Sequence, residues 1–273
     1  MIGKGLYITS LLAPGWTGRK TLQLFCTPRK GKIRPREANF LSKAEEMETY
    51  ETKHGTIQYY IWNKSGTKTI LLMHGWESNA SRWRSLIKAL SDTNFRIVAI
   101  DAPGHGASSN ETFDMLQYIA AIDQAVKSFE VDTLIGHSVG GASICFYLSR
   151  YNAPVFDHLI LLGSPAKLSQ MTENYFDILK LPNRLKRLFN IHFERKFELT
   201  VGDISVSKMI KNVQIPTLII HDKKDEVINV KDAKVYEHLF TNSSLQITDG
   251  YGHGLQNKAV FYKIKSYLKA IDN

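Results

Sequence analysis

The stretch Leu134–Gly141, LIGHSVGG, joins a strand pattern from Val131 to Ile135 to a helical pattern, GGASICFYLSRY. It contains Gly136-x-Ser138-x-Gly140. Alone, such a pattern arises by chance in roughly one chain in ten of this length. Its setting makes it informative. A strand, a tight turn and a helix in immediate succession lift the serine hydroxyl above the end of a sheet. Flanking glycines remove the Cβ atoms that so sharp a turn would crowd. The helix N-terminus behind the serine offers free backbone N–H groups and the positive end of a dipole. The stretch therefore reads as a nucleophile elbow, and the rest of the chain has to supply a parallel sheet and a base.

The sheet is legible on both sides of the elbow. KTILLMHG and FRIVAID before it, and FDHLILLGSP and TLIIHD after it, are short, continuously apolar runs. That composition suits strands buried on both faces. SSLQITDG adds a further strand near the end. Helical patterns alternate with them: SRWRSLIKALSD, TFDMLQYIAAIDQAVKSFE, AKVYEHLF and a closing AVFYKIKSYLKAI. In the second, Phe113, Leu116, Ile119, Ile122, Val126 and Phe129 recur at helical spacing. METYETKHGTIQYYIW reads as a hairpin turning near His54-Gly55, and ANFLSKAEEMETY before it starts helical. Strands alternating with helices predict an α/β fold with a mostly parallel sheet flanked by helices.

A serine hydroxyl needs a base. Nine histidines are available. His253, in TDGYGHGLQ, follows the last strand in a Gly-rich loop that can bring an imidazole over the elbow. His74, His105 and His137 lie in turns and read as structural residues that hold loops by hydrogen bonds. His221 ends a strand and is the weakest alternative base. A carboxylate must orient the imidazole. Asp222 and Asp225, three residues apart in HDKKDEVI, follow a late strand.

With these landmarks in order, LLMHGW, IDAPGHGAS, GHSVGG, HDKKDEVI and GYGH, the chain resembles the α/β-hydrolase family over roughly residues 50–273. The resemblance implies the α/β-hydrolase fold with a small helical cap. It also implies the order Ser, acid, His, with Ser138 as nucleophile and His253 as base. Asp225 matches the family's acid in the pattern Asp-x-Val. Asp222, in the slot where the family has a turn glycine, is expected to bond nearby backbone N–H groups. The family's oxyanion hole maps onto the N–H groups of Trp76, in HGW, and Val139. Members that carry Asp at the elbow, the haloalkane dehalogenases and epoxide hydrolases, do not match Ser138. The N-terminal extension, with LFCTPRKGK, looks like that of some bacterial members.

Three blocks are expected: an N-terminal arm over 1–48, a core over 49–165 and 213–273, and the helical cap insertion over 166–212. The insertion interleaves apolar residues such as Tyr175, Phe176, Phe189 and Phe193 with Lys180, Arg184, Lys186 and Arg187. It reads as a lid over a substrate pocket. The net charge of +9 is uneven. Residues 1–36 hold eight basic residues and no acid, and the rest of the chain is within one charge of neutral. Leu22, Leu24 and Phe25 look ready to dock, so the arm is expected to pack on an acidic surface of the body or to be solvated. Contact with a membrane surface is the second reading. No nucleic-acid motif accompanies the charge, so no nucleic-acid partner is expected.

Composition excludes disordered, fibrous and membrane-spanning classes. Two cysteines, Cys26 and Cys145, make no disulfide framework and fit a reducing cytoplasm. No signal peptide is expected. No cluster has metal-ligand spacing, and the chemistry needs no cofactor. The expected function is hydrolysis of a small-molecule carboxylic ester of a small to medium apolar acid through an acyl-enzyme. Thioester, lactone, amide or C–C substrates use the same triad, and a non-catalytic small-molecule receptor is the reading of another class. The sequence leaves the oligomeric state open.

Overall fold

The chain enters through three helices, α1 (Ile2–Leu12), α2 (Pro14–Cys26) and α3 (Pro35–Leu41), before it reaches the sheet. The computed structural model describes residues 2–151, 153–211 and 213–272. Met1, Asn212 and Asn273, which bound the expected blocks, lie outside the described residues. Strands β1 (Glu46–Thr52) and β2 (Gly55–Trp62) form the hairpin. The first strand starts inside the block assigned to the arm. Then come β3 (Lys68–Met73), a 3-10 turn at Ala80–Trp83, α4 (Arg84–Ala89), β4 (Phe95–Ile100), α5 (Met115–Phe129), β5 (Thr133–His137), α6 (Val139–Arg150) and β6 (His158–Leu162). Helices α7 (Leu168–Ile178), α8 (Asn183–Phe197) and α9 (Val206–Met209) follow. The chain closes with β7 (Thr217–Asp222), α10 (Lys231–Leu239), β8 (Ser243–Thr248) and α11 (Lys258–Asp272).

These strands make one sheet in the order β1-β2-β4-β3-β5-β6-β7-β8. The pairings of β1 with β2 and of β2 with β4 are antiparallel, and the other five are parallel. The apolar runs are buried on both faces, as their composition requires. On β3, Leu71 and Met73 face α5 and α6, while Ile70 and Leu72 face α4 and α11. Each layer is a separate core, and Ile122, Ile144 and Tyr236 anchor one while Trp83, Leu86 and Ile264 anchor the other.

Two local departures from the sequence pattern have plain causes. The pattern that starts at Thr112 becomes helical only at Met115, because Asp114 caps the helix by accepting from Gln117 N–H at 2.9 Å. The arm does not rest on an acidic surface, nor is it simply solvated. Helices α1 and α2 pack on α8, itself basic, through an apolar cluster of Leu6, Leu22 and Cys26 with Leu185, Phe189 and Phe193. Phe25 stands edge-on to Tyr175 and Phe189, with ring centroids 5.1 and 5.2 Å apart. Burial of aromatic surface outweighs the scatter of like charges at the rim.

The elbow depends on close backbone approach. A Cβ on Gly140 would stand 2.3 Å from the Met73 carbonyl oxygen, and one on Gly136 2.5 Å from Gly141 N. Backbone atoms of a central strand cannot move aside cheaply. We expect Gly140→Ala to destabilise the protein by roughly 1–3 kcal/mol, which thermal melting would register as a Tm lower by about 3–10 °C. An unchanged Tm would mean that α6 can back away from β3.

Candidate active site

Ser138 sits between β5 and α6 at φ 53°, ψ −124°, a strained conformation for a residue with a Cβ. Its own N–H donates to Leu162 O at 2.8 Å, which fastens the turn to β6. The hydroxyl lies 3.0 Å from His253 Nε2. His253 Nδ1 lies 2.8 Å from Asp225 Oδ2. A carboxylate only accepts, so Nδ1 carries the imidazole proton and Nε2 presents its lone pair to the serine. Ser138, His253 and Asp225 come together although 115 and 28 residues separate the bonded pairs.

The Asp225 side chain is fully buried. Its Oδ1 accepts from Val227 N–H and Ile228 N–H, both at 2.8 Å. Its Oδ2 also lies 3.4 Å from His221 Nε2, which is 3.0 Å from Ile228 O. Burial pushes the Asp225 carboxyl up, but hydrogen bonds from His221, His253 and Ile228 N–H outweigh it and hold it well below the usual carboxylate range. His221 does not reach the serine and serves the acid instead.

Asp222 differs from Asp225. It is buried and accepts from Thr248 Oγ1 at 2.7 Å and from the backbone N–H groups of Tyr251, Lys224 and Gly250. It therefore ties the β7 turn to the loop that carries His253. Burial raises its pKa, but these donors prevail and bring it down to about 2.

The remaining histidines of the sequence pattern hold backbone. His74 donates from Nδ1 to Gly75 O and accepts at Nε2 from Ala102 N–H. His105 accepts from Glu77 N–H at 3.0 Å. His137 Nε2 lies 2.8 Å from His253 O. Arg82 had no place in the sequence reading. Its Nη2 donates to Gly254 O at 3.0 Å, one residue past His253. Burial lowers the guanidinium to about 9, which leaves it charged at neutral pH. Only its position four residues before Leu86 in an apolar helical stripe hinted that it turns inward.

Trp76 and Val139 flank the serine. Among the described residues, neither N–H donates to an acceptor within the chain. The Trp76 ring packs edge-on to His105 and Phe113, at 5.3 and 5.6 Å. In front of Ser138 and His253 opens a cavity of about 680 Å³. Its walls are mainly apolar: Trp76, Phe113 and Met115 from the core, Met171, Phe193 and Phe197 from the α7–α9 segment, and Leu24 and Phe25 from α2. Among the described residues no group of three or more His, Cys, Asp or Glu stands together to hold a metal.

The model of the alpha/beta hydrolase fold family matches residues 68–203. The chain is a member of the α/β-hydrolase superfamily. It is 24% identical to the monoacylglycerol lipase ABHD6 of Rattus norvegicus, over 72% of this chain and 73% of the relative. It is 23% identical to a bifunctional esterase/perhydrolase of Acinetobacter calcoaceticus, over 75% of this chain and 92% of that one. Among solved structures, an esterase of Pyrococcus furiosus shares the fold with a TM-score of 0.63 at 18% identity, covering 90% of this chain and 95% of that one.

The two aspartates of this α/β-hydrolase chain separate in experiment. Asp225→Asn would leave Nδ1 facing an amide and lower turnover by about 10⁴-fold, with the fold kept. Asp222→Asn would weaken the β7 turn by roughly 1–3 kcal/mol. The Asp222 carboxyl is more acidic folded than unfolded, so its stabilisation is present above an unfolded pKa of about 3.9 and fades as pH falls towards about 2. Acid unfolding followed by circular dichroism should show a flatter dependence for Asp222→Asn across that window. An identical acid profile would overturn the role given to Asp222.

Proposed function

We propose that the chain is a serine hydrolase that cleaves carboxylic esters of small to medium apolar acids. The observation that carries this reading is the continuous hydrogen-bonded series from Ser138 through His253 to Asp225 at the floor of an apolar cavity. Its volume of about 680 Å³ lies in the range of small-molecule pockets. The relatives named above are an ester-cleaving lipase and esterases, which supports the same bond type.

Ser138 Oγ attacks the acyl carbonyl while His253 Nε2 takes its proton. Asp225 holds the imidazole in the correct tautomer and stabilises the imidazolium that forms. Trp76 N–H and Val139 N–H donate to the oxyanion of the tetrahedral intermediate. One such donor is typically worth about 3–4 kcal/mol in the transition state. His253 then protonates the departing alcohol. Water, deprotonated by the same imidazole, releases the acid from Ser138. Helices α7–α9 act as a cap: their aromatic side chains wall the acyl site and exclude solvent from the oxyanion. Helix α2 completes that wall through Leu24 and Phe25.

A fluorophosphonate probe tests the nucleophile. The folded wild type should label at Ser138, and Ser138→Ala should neither label nor hydrolyse p-nitrophenyl esters, with turnover down by roughly 10⁴-fold or more. Absence of labelling in folded wild type would overturn the proposal. A series of acyl chain lengths should show kcat/KM peaking at intermediate length. Labelling without activity on any simple ester would move the reading to thioester, lactone, amide or C–C substrates.

A further inference from the structure

The outward side of α1 carries apolar residues that none of the described residues covers. At 100° per residue, Tyr7, Ile8, Leu11 and Leu12 form one stripe. They are 43, 61, 56 and 86% exposed, and Trp16 at the start of α2 is 51% exposed. The opposite side is fixed to the body. Leu6 and Ser10 are buried, and Arg184 of α8 donates to the Ser10 hydroxyl at 3.1 Å and to its carbonyl at 2.9 Å. The stripe is therefore held outward by its own docking contacts.

Charge decides what covers it. Helices α1, α2 and α8 pack together and carry eight basic residues against a single acid, Glu194. A second copy placed on this stripe would bring two cationic surfaces together, which repel. An anionic bilayer offers apolar acyl chains to the stripe and negative headgroups to the basic rim. Tyr7 and Trp16 are the residue types that settle at the headgroup level. Among the described residues no helix is long and apolar enough to cross a membrane, so the helix lies on the surface. We propose that α1, with Trp16, is an interfacial docking element for anionic lipid membranes. The inference stands independently of the hydrolysis proposed above.

Vesicle co-sedimentation of the full chain tests it. Vesicles of phosphatidylcholine alone are compared with vesicles in which part is replaced by phosphatidylglycerol, at low and high salt. Wild type should partition at least about tenfold better onto the anionic vesicles, and salt should weaken it. Leu11→Glu combined with Leu12→Glu should lower that partition about tenfold or more. Both positions are exposed, so the melting curve and fluorophosphonate labelling of the double variant should match wild type. Equal binding to both vesicle types, or binding that the double variant retains, would overturn the proposal. So would a wild-type dimer that the double variant converts to monomer in sedimentation velocity without any vesicle binding.

Discussion

Ser138 occupies a backbone conformation that an isolated peptide would leave at once. What keeps it there is the grip of the surrounding elements: its N–H is bonded to β6, α6 is pressed against the end of β3, and Gly140 permits that contact. The strain costs about 1–3 kcal/mol, small beside what two packed sheet faces contribute, so the fold imposes it without difficulty. Because the turn is fixed from three sides, the hydroxyl and the first N–H groups of α6 are set in place before any ligand arrives. The neighbouring loops only need to bring an imidazole to a point already defined.

The loop that brings it is held by polar contacts more than by packing. Asp222 bonds N–H groups on both sides of the β7–β8 edge, His137 reaches the carbonyl of His253, and Arg82 reaches that of Gly254. Each contact goes to backbone, leaving the His253 ring free to bond only Asp225 and Ser138. Asp225 is treated differently. It accepts from two imidazoles and two amides, which saturates its oxygens and keeps it ionised despite burial. Two carboxylates three residues apart thus play separate parts through their environments alone.

Much of this was legible in the residues. The succession of strands and helices and the elbow follow from apolar runs and turn residues, and the distinction between Asp222 and Asp225 follows from the family pattern Asp-x-Val. Those are local properties of a chain whose pattern and fold agree. The partners of Arg82 and the second partner of Asp225 were not legible: Arg82 falls on an apolar helical stripe and His221 ends a strand, but neither position tells which distant group the side chain reaches. The seat of the arm was misread for a related reason. Leu22 and Phe25 were marked for docking by their apolar character, but charge counting pointed to an acidic seat, whereas they rest on the aromatic face of α8, whose fit depends on tertiary geometry.

The path of the chain between α2 and α3 joins the two sides of the cavity. Phe25 lies among the aromatics of α7 and α8, yet Cys26 O accepts from Phe113 N–H, Arg29 N–H donates to Glu77, and Gly31 O accepts from Gly106 N–H. One short segment is thus bonded to the core and packed into the helices above it. A hinge between those layers would have to stretch this strap. The strap therefore ties the two walls of the cavity to each other, and parting them would break its contacts on one side.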